Sequence, residues 1–430
     1  MNASALAASG SRAMAREKQL RFWIGRLLVA VLLLLCAGLA AGFSTTVYLR
    51  LARGLPPYTA FLEQCQFVLI GLGVSVFFNI LVARFSPARR WLRYAIPLAF
   101  FASLILLALV RLSPWGVMEN GARRWLDLGF ITFQPSELLK ISLVLYLGQL
   151  LCWWRRPPGG AGFQPEMDGA ALRGGVHNGG QSARPTSTRP TWPALPKRCM
   201  VIIFLALAFT ASQPDLGSSG IILGSSIITL ILAGVSWRPL LGFILMIALL
   251  GGLAMTAVPN YYSYAAKRVE TWLNPTANND SAAYQITQSR GALAEGGLWG
   301  RGFLKSEQKM NRLPLSTKDF VFPVMVEELG FAGGLLIILL FVNLAWVAVR
   351  LAGCCRDPFN RTVIAALGFT IALQALVNIA TTTGTLPLSG LTLPFFSVGG
   401  TSMVVSLFAV GTMVALGRSE LLGKETGRRA

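Results

Sequence analysis

Apolar runs of roughly 17 to 25 residues recur along this chain, separated by short polar breaks. A run of that length forms a helix long enough to cross a hydrocarbon core of about 30 Å. Ten such segments are predicted as membrane spans, at roughly 27–49, 66–83, 95–112, 136–154, 199–213, 217–235, 239–258, 321–349, 362–382 and 398–416. The expected fold class is an all-α polytopic membrane protein. The first run, from Leu27, has no convincing small-residue cleavage site after it and reads as a retained span. Two long polar stretches interrupt the pattern, 155–198 and 259–320.

Composition agrees with that picture. Of 430 residues, 54% are hydrophobic and 13% charged, and the mean hydropathy is +0.58. The net charge of +20 invites a nucleic-acid reading, but its distribution explains it better. With the N-terminus inside, the inner segments 1–26, 84–94, 155–198, 236–238, 350–361 and 417–430 hold 24 of the 38 Lys and Arg. That bias predicts an N-in, C-in orientation, and no nucleic-acid partner is expected. The organisation follows. An inner tail (1–26) precedes a membrane domain (27–416), and a second inner tail (417–430) follows it. The Pro-, Gly- and Ser-rich insert 155–198 is an inner loop expected to be disordered. The segment 259–320 is a large outer loop between spans 7 and 8.

The inventory of reactive side chains excludes several chemistries. The single histidine, His177, falls in the inner insert, so no His-based triad or zinc site is available elsewhere. Of the six cysteines only Cys65 lies near the outer face, and adjacent Cys354 and Cys355 have no metal-ligand partners nearby in sequence. No protein-bound metal centre is expected. The outer loop carries eight basic residues, among them Lys267, Arg268 and Arg301, and five acids. It suits either an anionic ligand such as a diphosphate or the surface of anionic lipids.

Polar motifs gather on the same outer side. In "NGARRWLDLGFITFQPSELLK" the apolar run is too broken to span, and Glu137 and Lys140 share one face at i, i+3. In "SQPDLGSS", Asp215 is placed to cap the next helix. "TTTGTLPLSGLTLPFFSVGGTS" is a non-helical, partly apolar connection that must be buried or line a cavity. Glu327 and Glu328 sit just inside an apolar run, either paired with a basic residue or facing a polar path.

Taken in order, "NGARRWLDLGFITFQPSELLK", "QPDLGSS", "GGLWGRG" with "LPLSTKDFVFPVMVEELG", and "LPLSGLTLPFFSVGGTS" resemble the SEDS family (shape, elongation, division and sporulation) from about residue 20 to 416. The resemblance implies a ten-span peptidoglycan glycosyltransferase of the cytoplasmic (inner) membrane. Such an enzyme polymerises lipid II on the outer face and releases undecaprenyl diphosphate. It also implies a class B penicillin-binding protein as crosslinking partner, alongside other division or elongation proteins. "GLTLPF" leans toward the division branch.

The same resemblance assigns roles. Family members carry an essential acid a few residues before a Tyr-Gln pair, here Tyr284-Gln285. Asp280 is the acid in that position and is expected to be the general base, although it also suits the N-cap of the helix that follows. The usual Asp-Pro-x-Gly surroundings are missing, and counting without gaps from Pro275 reaches Asn278 instead. Arg124 and Lys140 are expected to meet either the diphosphate or a buried acid. Lys267, Arg268, Tyr284, Gln285 and Arg301 complete the expected binding set. Trp125 reads as an interfacial anchor. Glu137, Asp215, Asp319, Glu327 and Glu328 are expected to shape the cavity. A divalent cation, Mg or Mn, would assist departure of the diphosphate. Two other functions suit the residues alone, a flippase for lipid-linked precursors and a noncatalytic division scaffold. Against the flippase, no inverted repeat is evident and the polar motifs crowd one face.

Overall fold

Each of the ten predicted apolar segments falls, apart from a few end residues, in a helix of the computed structural model. The structure describes residues 3–84, 89–114, 116–119, 122–127, 129, 132–154, 196–213, 215–257, 259–274, 281–310, 313 and 316–429. Three helices form the first half of the bundle, α1 (Ala3–Ala52), α2 (Thr59–Arg84) and α3 (Arg89–Leu112). After a small sheet come α4 (Pro135–Trp154), α5 (Lys197–Ala211), α6 (Leu216–Leu232) and α7 (Trp237–Ala257). The connecting helices α8 (Pro259–Leu273) and α9 (Ser281–Gly296) precede α10 (Val321–Gly353), α11 (Pro358–Thr382) and α12 (Gly400–Arg429). Among the described residues, seven helices are long and apolar enough to cross a membrane, and Leu216–Leu232 and Trp237–Leu253 are shorter apolar helices. The protein is a mostly helical, multi-pass membrane protein. The 155–195 part of the inner insert, with His177, lies outside the described residues.

Two departures from the sequence reading both fall at one end of the bundle. The expected all-α architecture is supplemented there by a three-stranded antiparallel sheet, β1 (Gly116–Glu119), β2 (Ala122–Asp127) and β3 (Thr132–Phe133). The segment between α3 and α4 is too short and broken for a helix, and strand pairing satisfies its backbone instead. In the outer segment 259–320, α9 is the helix expected after Asp280, and α8 is a second helix that was not expected.

Two apolar cores meet at α4. Ile141, Val144 and Leu145 face a core shared with α1, α10, α11 and α12. Leu139, Leu143, Leu147 and Leu151 face a second core with α3, α5, α6 and α7. A helix apolar on both sides belongs at the centre of a bundle, and α4 is there. Elsewhere small residues bring helices together, as expected where lipid is as apolar as leucine. On α2, a Cβ at Gly71 would come within 2.7 Å of Leu407 Cδ1. One turn on, Ser75 Oγ donates to the Leu407 carbonyl at 2.8 Å. A further turn on, Asn79 Nδ2 donates to the Gly411 carbonyl at 3.0 Å. This row zips α2 to α12.

Helix α10 is broken at Gly330, whose φ of 73° and ψ of −176° are not helical. The break has no room for a side chain, because a Cβ there would lie 2.3 Å from the Leu298 carbonyl oxygen. The freed backbone groups are taken up by the chain after α9. Arg301 and Gly302 amides donate to the Glu327 and Glu328 carbonyls at 2.9 and 3.0 Å. In return, Phe331 and Ala332 amides donate to the Gly297 and Leu298 carbonyls at 2.8 and 3.2 Å. A broken membrane helix persists only when neighbouring protein satisfies it in this way.

Candidate functional site

The connection from α11 to α12, residues 383–399, is the hub of the loop-rich end. It is non-helical, yet Leu391, Leu393, Phe395 and Phe396 are almost fully buried. Irregular backbone at such depth needs partners from the protein, and three elements supply them, while the sheet holds the start of α12. From α11, Asn378 Nδ2 donates to the Leu391 carbonyl at 2.5 Å and to the Asp319 carbonyl at 2.9 Å. From the approach to α10, the Thr317 carbonyl accepts from the Val398 amide at 2.9 Å, and the Lys318 carbonyl accepts from Ser397 Oγ. From α8, Arg268 Nη1 donates to the Leu388 carbonyl at 2.8 Å and Trp272 Nε1 to the Gly384 carbonyl at 2.9 Å. From the sheet, the Thr132 carbonyl accepts from Thr401 Oγ1 at the start of α12, at 2.9 Å.

Arg124 reaches this hub through an irregularity in β2. Val117 pairs with Trp125 and Met118 with Arg123, so Arg124 is the extra residue of a β-bulge. A bulge redirects the side chain it carries, and bulges concentrate beside functional sites. Here the guanidinium is aimed at Gly390. A Cβ at Gly390 would lie 3.7 Å from Arg124 Nη1 and 3.8 Å from Asp319 Oδ2. Gly390 has a φ of +67°, which an ordinary side chain would resist. A base from the sheet and an acid from the α10 approach therefore converge on one bare turn. Next to Arg124, Trp125 stacks beneath Lys318, whose Nζ sits 5.7 Å from the ring centroid.

Glu137 and Lys140 occupy the first turns of α4. Lys140 Nζ donates to Glu137 Oε1 at 2.7 Å and to Gln374 Oε1 at 2.6 Å. The sequence left two partners open for Lys140, a diphosphate or a buried acid, and the structure supplies the buried acid. Only 2% of the surface of Lys140 is exposed. The chain of contacts continues into the hub, because Gln374 Nε2 donates to the Thr392 carbonyl at 3.1 Å. Beside it lies a cavity of about 20 Å³, room for roughly one water. Glu137, Lys140, Thr370, Gln374, Pro394 and Ser406 line it.

Glu327 and Glu328, both fully buried, organise the break in α10. Glu328 Oε1 accepts from Lys309 Nζ at 2.5 Å and from Ser44 Oγ of α1 at 2.7 Å. Glu327 accepts from the Glu307 amide at 2.7 Å and from Ser306 Oγ. Arg301 joins this cluster. Its guanidinium meets Glu295 at 3.3 Å, Glu307 at 2.9 Å and Glu327 at 3.8 Å. Three carboxylates thus surround the expected substrate-binding residue Arg301. Lys309, which the sequence reading did not single out, is the buried partner of Glu328.

The remaining expected residues are spread around the hub. Asp215 caps α6, its Oδ1 accepting from the Ser218 amide at 3.1 Å. Lys267 on α8 is exposed, Tyr284 on α9 is exposed and Gln285 is half-buried. Asp280, Asn278 and Pro275 lie outside the described residues, and α9 begins at Ser281. Burial pushes the Cys355 thiol up to about 12, which makes it a poor thiolate ligand. No group of three His, Cys, Asp or Glu suited to holding a metal occurs among the described residues. A divalent ion at this site would take most of its ligands from water and from phosphates, as Mg commonly does.

Residues 25–421 match the FtsW/RodA/SpoVE family, described as cell cycle protein. The chain is 32% identical over 360 residues to stage V sporulation protein E of Bacillus subtilis (strain 168), covering 83% of this chain and 87% of that protein. It is 33% identical over 356 residues to the probable peptidoglycan glycosyltransferase FtsW of Trichlorobacter lovleyi, covering 79% of this chain and 80% of that one. Among solved structures, it is similar to a chain of a peptidoglycan synthase complex studied for the coordination of polymerization and crosslinking. That match has a TM-score of 0.63 and 27% identity, over 89% of this chain and 96% of that one. It also resembles the rod shape determining protein RodA of Thermus thermophilus, with a TM-score of 0.55 and 25% identity over 89% and 95% of the two chains.

Proposed function

The chain belongs to the FtsW/RodA/SpoVE family of cell cycle proteins, and we propose on that premise that it is a peptidoglycan glycosyltransferase polymerising lipid II. Several of its curated relatives are named probable peptidoglycan glycosyltransferase FtsW. The observation that carries the assignment to this end of the molecule is the convergence of Arg124 and Asp319 on Gly390, over a buried polar network. With the N-terminus inside, this end faces the exterior of the cytoplasmic membrane, where lipid-linked sugars are presented.

In this reading a hydroxyl of the acceptor sugar attacks the anomeric carbon of the donor. The new glycosidic C–O bond forms as the bond to the diphosphate breaks, and undecaprenyl diphosphate leaves with the electron pair. The hydroxyl proton passes to the Asp280 carboxylate. Arg124, with Arg268 at the hub and Lys267 on α8, offsets the charge of the departing diphosphate. Bound Mg or Mn would add Lewis-acid neutralisation of that diphosphate. Tyr284 and Gln285 on α9 contact the sugar or peptide of the substrate. Lys140, Glu137 and Arg301 hold the scaffold. The similarity to a chain from a complex that couples polymerization with crosslinking supports a crosslinking partner. A class B penicillin-binding protein fits that role, with other division proteins around it. The "GLTLPF" stretch and the FtsW names of the relatives favour division over elongation.

Asp280→Asn in purified, folded protein tests the assignment on lipid II. Loss of a general base is expected to cut polymer formation by about 10²–10⁴-fold. A folded variant that polymerises at the normal rate removes Asp280 from the role.

A further inference from the structure

On two elements that pack against the Ser389–Gly390–Leu391 turn, a buried side-chain oxygen accepts no hydrogen bond among the described residues. The first is Asp215 Oδ2. Asp215 is 3% exposed, and its partner among the described residues is the Ser218 amide on the other oxygen. The second is Asn378 Oδ1, on a residue with no exposed surface. Its amide orientation is fixed, because Nδ2 already donates to the Asp319 and Leu391 carbonyls. Both residues approach the same turn. Gly217, two residues after Asp215, lies so close that its Cβ would be 2.7 Å from the Ser389 carbonyl oxygen. Asn378 grips Leu391 on the other side of Gly390.

Buried polar atoms are normally satisfied, and a buried carboxylate without a counter-charge is costly. Both of these atoms are acceptors. A carboxylate oxygen, a carboxamide oxygen and carbonyls of a turn form a set of hard oxygen donors with one negative charge. That set suits a small hard cation. The setting favours it too. Asn378 lies near the C-terminal end of α11, the negative end of the helix dipole. Unwound backbone beside helix ends coordinates cations in other membrane proteins. Arg124 and Asp319, with one charge each, offset one another across Gly390.

We propose that Asp215, Asn378 and the Ser389–Leu391 turn form a binding site for a small hard cation. The cation clamps α6 to α11 through the turn and so fixes the surface on which Arg124 and Asp319 meet. This site stands apart from the polymerase reading, which survives if it fails.

The test uses the full chain, stripped with chelator, in nanodiscs of zwitterionic lipid. Mn²⁺ alone is titrated, and its free electron paramagnetic resonance signal reports binding. In a parallel arm, thermal unfolding is followed in NaCl against choline chloride at equal ionic strength. Wild type should show either saturable Mn²⁺ uptake or a saturable, sodium-specific rise in Tm. Asp215→Asn keeps an N-cap acceptor, so α6 stays capped, but removes the charge. It should weaken the effective cation by at least ~10-fold. Two results overturn the proposal. One is no saturable effect of either cation on wild type, and the other is equal affinity in the variant. The two oxygens are then water sites.

Discussion

Among the described residues, two lysine–glutamate pairs lie almost fully buried, and they do different things. Glu137 and Lys140 are three residues apart on one helix, at 2.7 Å. Glu328 and Lys309 are joined at 2.5 Å, but Lys309 comes from the connection that precedes α10. The first pair is open. It borders a cavity and passes its hold through Gln374 to the α11–α12 hub. The second is closed. Ser44, Ser306 and Lys309 surround Glu328, and the result is a connecting segment fastened into a broken helix. The same two residue types therefore serve as a lever on the site in one case and as a rivet in the other. Burial does not distinguish them, but their further contacts do.

That contrast can be tested, starting with the larger effect. Lys309→Met leaves Glu328 without a counter-charge and should destabilise the fold by about 3–5 kcal/mol. Thermal unfolding in detergent would read this, while polymer made per folded molecule stays near normal. Lys140→Met should act on function more than on fold, because the adjoining cavity lets water reach Glu137. Polymerisation of lipid II is expected to fall by about 10²-fold, the scale of a lost electrostatic contact. Removing both charges sharpens the comparison. Glu328→Gln with Lys309→Met should regain much of the lost stability. Glu137→Gln with Lys140→Met should regain stability and leave polymerisation low, and recovery of polymerisation would make the α4 pair a second rivet. The smallest effect belongs to Lys318→Met. It loses the contact over Trp125 and should cost about 0.5–1 kcal/mol in stability.

The helical bundle was legible because its signal is redundant. Every span repeats it over many residues, and the helices start and stop within a few residues of the expected segments except at the two long termini and at the early starts of α2 and α3. Asp215 was legible as a cap because capping is local. The misses are non-local or geometric. Lys309 is separated from Glu328 by 19 positions, and no periodicity links a connecting segment to a helix interior. The bulge that aims Arg124 depends on how β1 and β2 pair, which the string "ARRWLD" does not encode. The break at Gly330 had a trace in "EELGFAGG", but three glycines in an apolar run also suit close helix packing. The carboxylates around Arg301, those of Glu295, Glu307 and Glu327, assemble only in the fold.

The exchanged backbone hydrogen bonds around Gly330 bear on how the molecule opens. Residues 297–302 look like a connection, yet their amides and carbonyls complete α10. In hydrogen–deuterium exchange the Arg301 and Gly302 amides should be as slow as those of the helix they finish, and should open together with Phe331 and Ala332. The cooperative unit then runs through the end of α9 and ignores the boundary between helix and connection. Any force applied to α9 from outside would be felt halfway along α10 before it loosened anything in between.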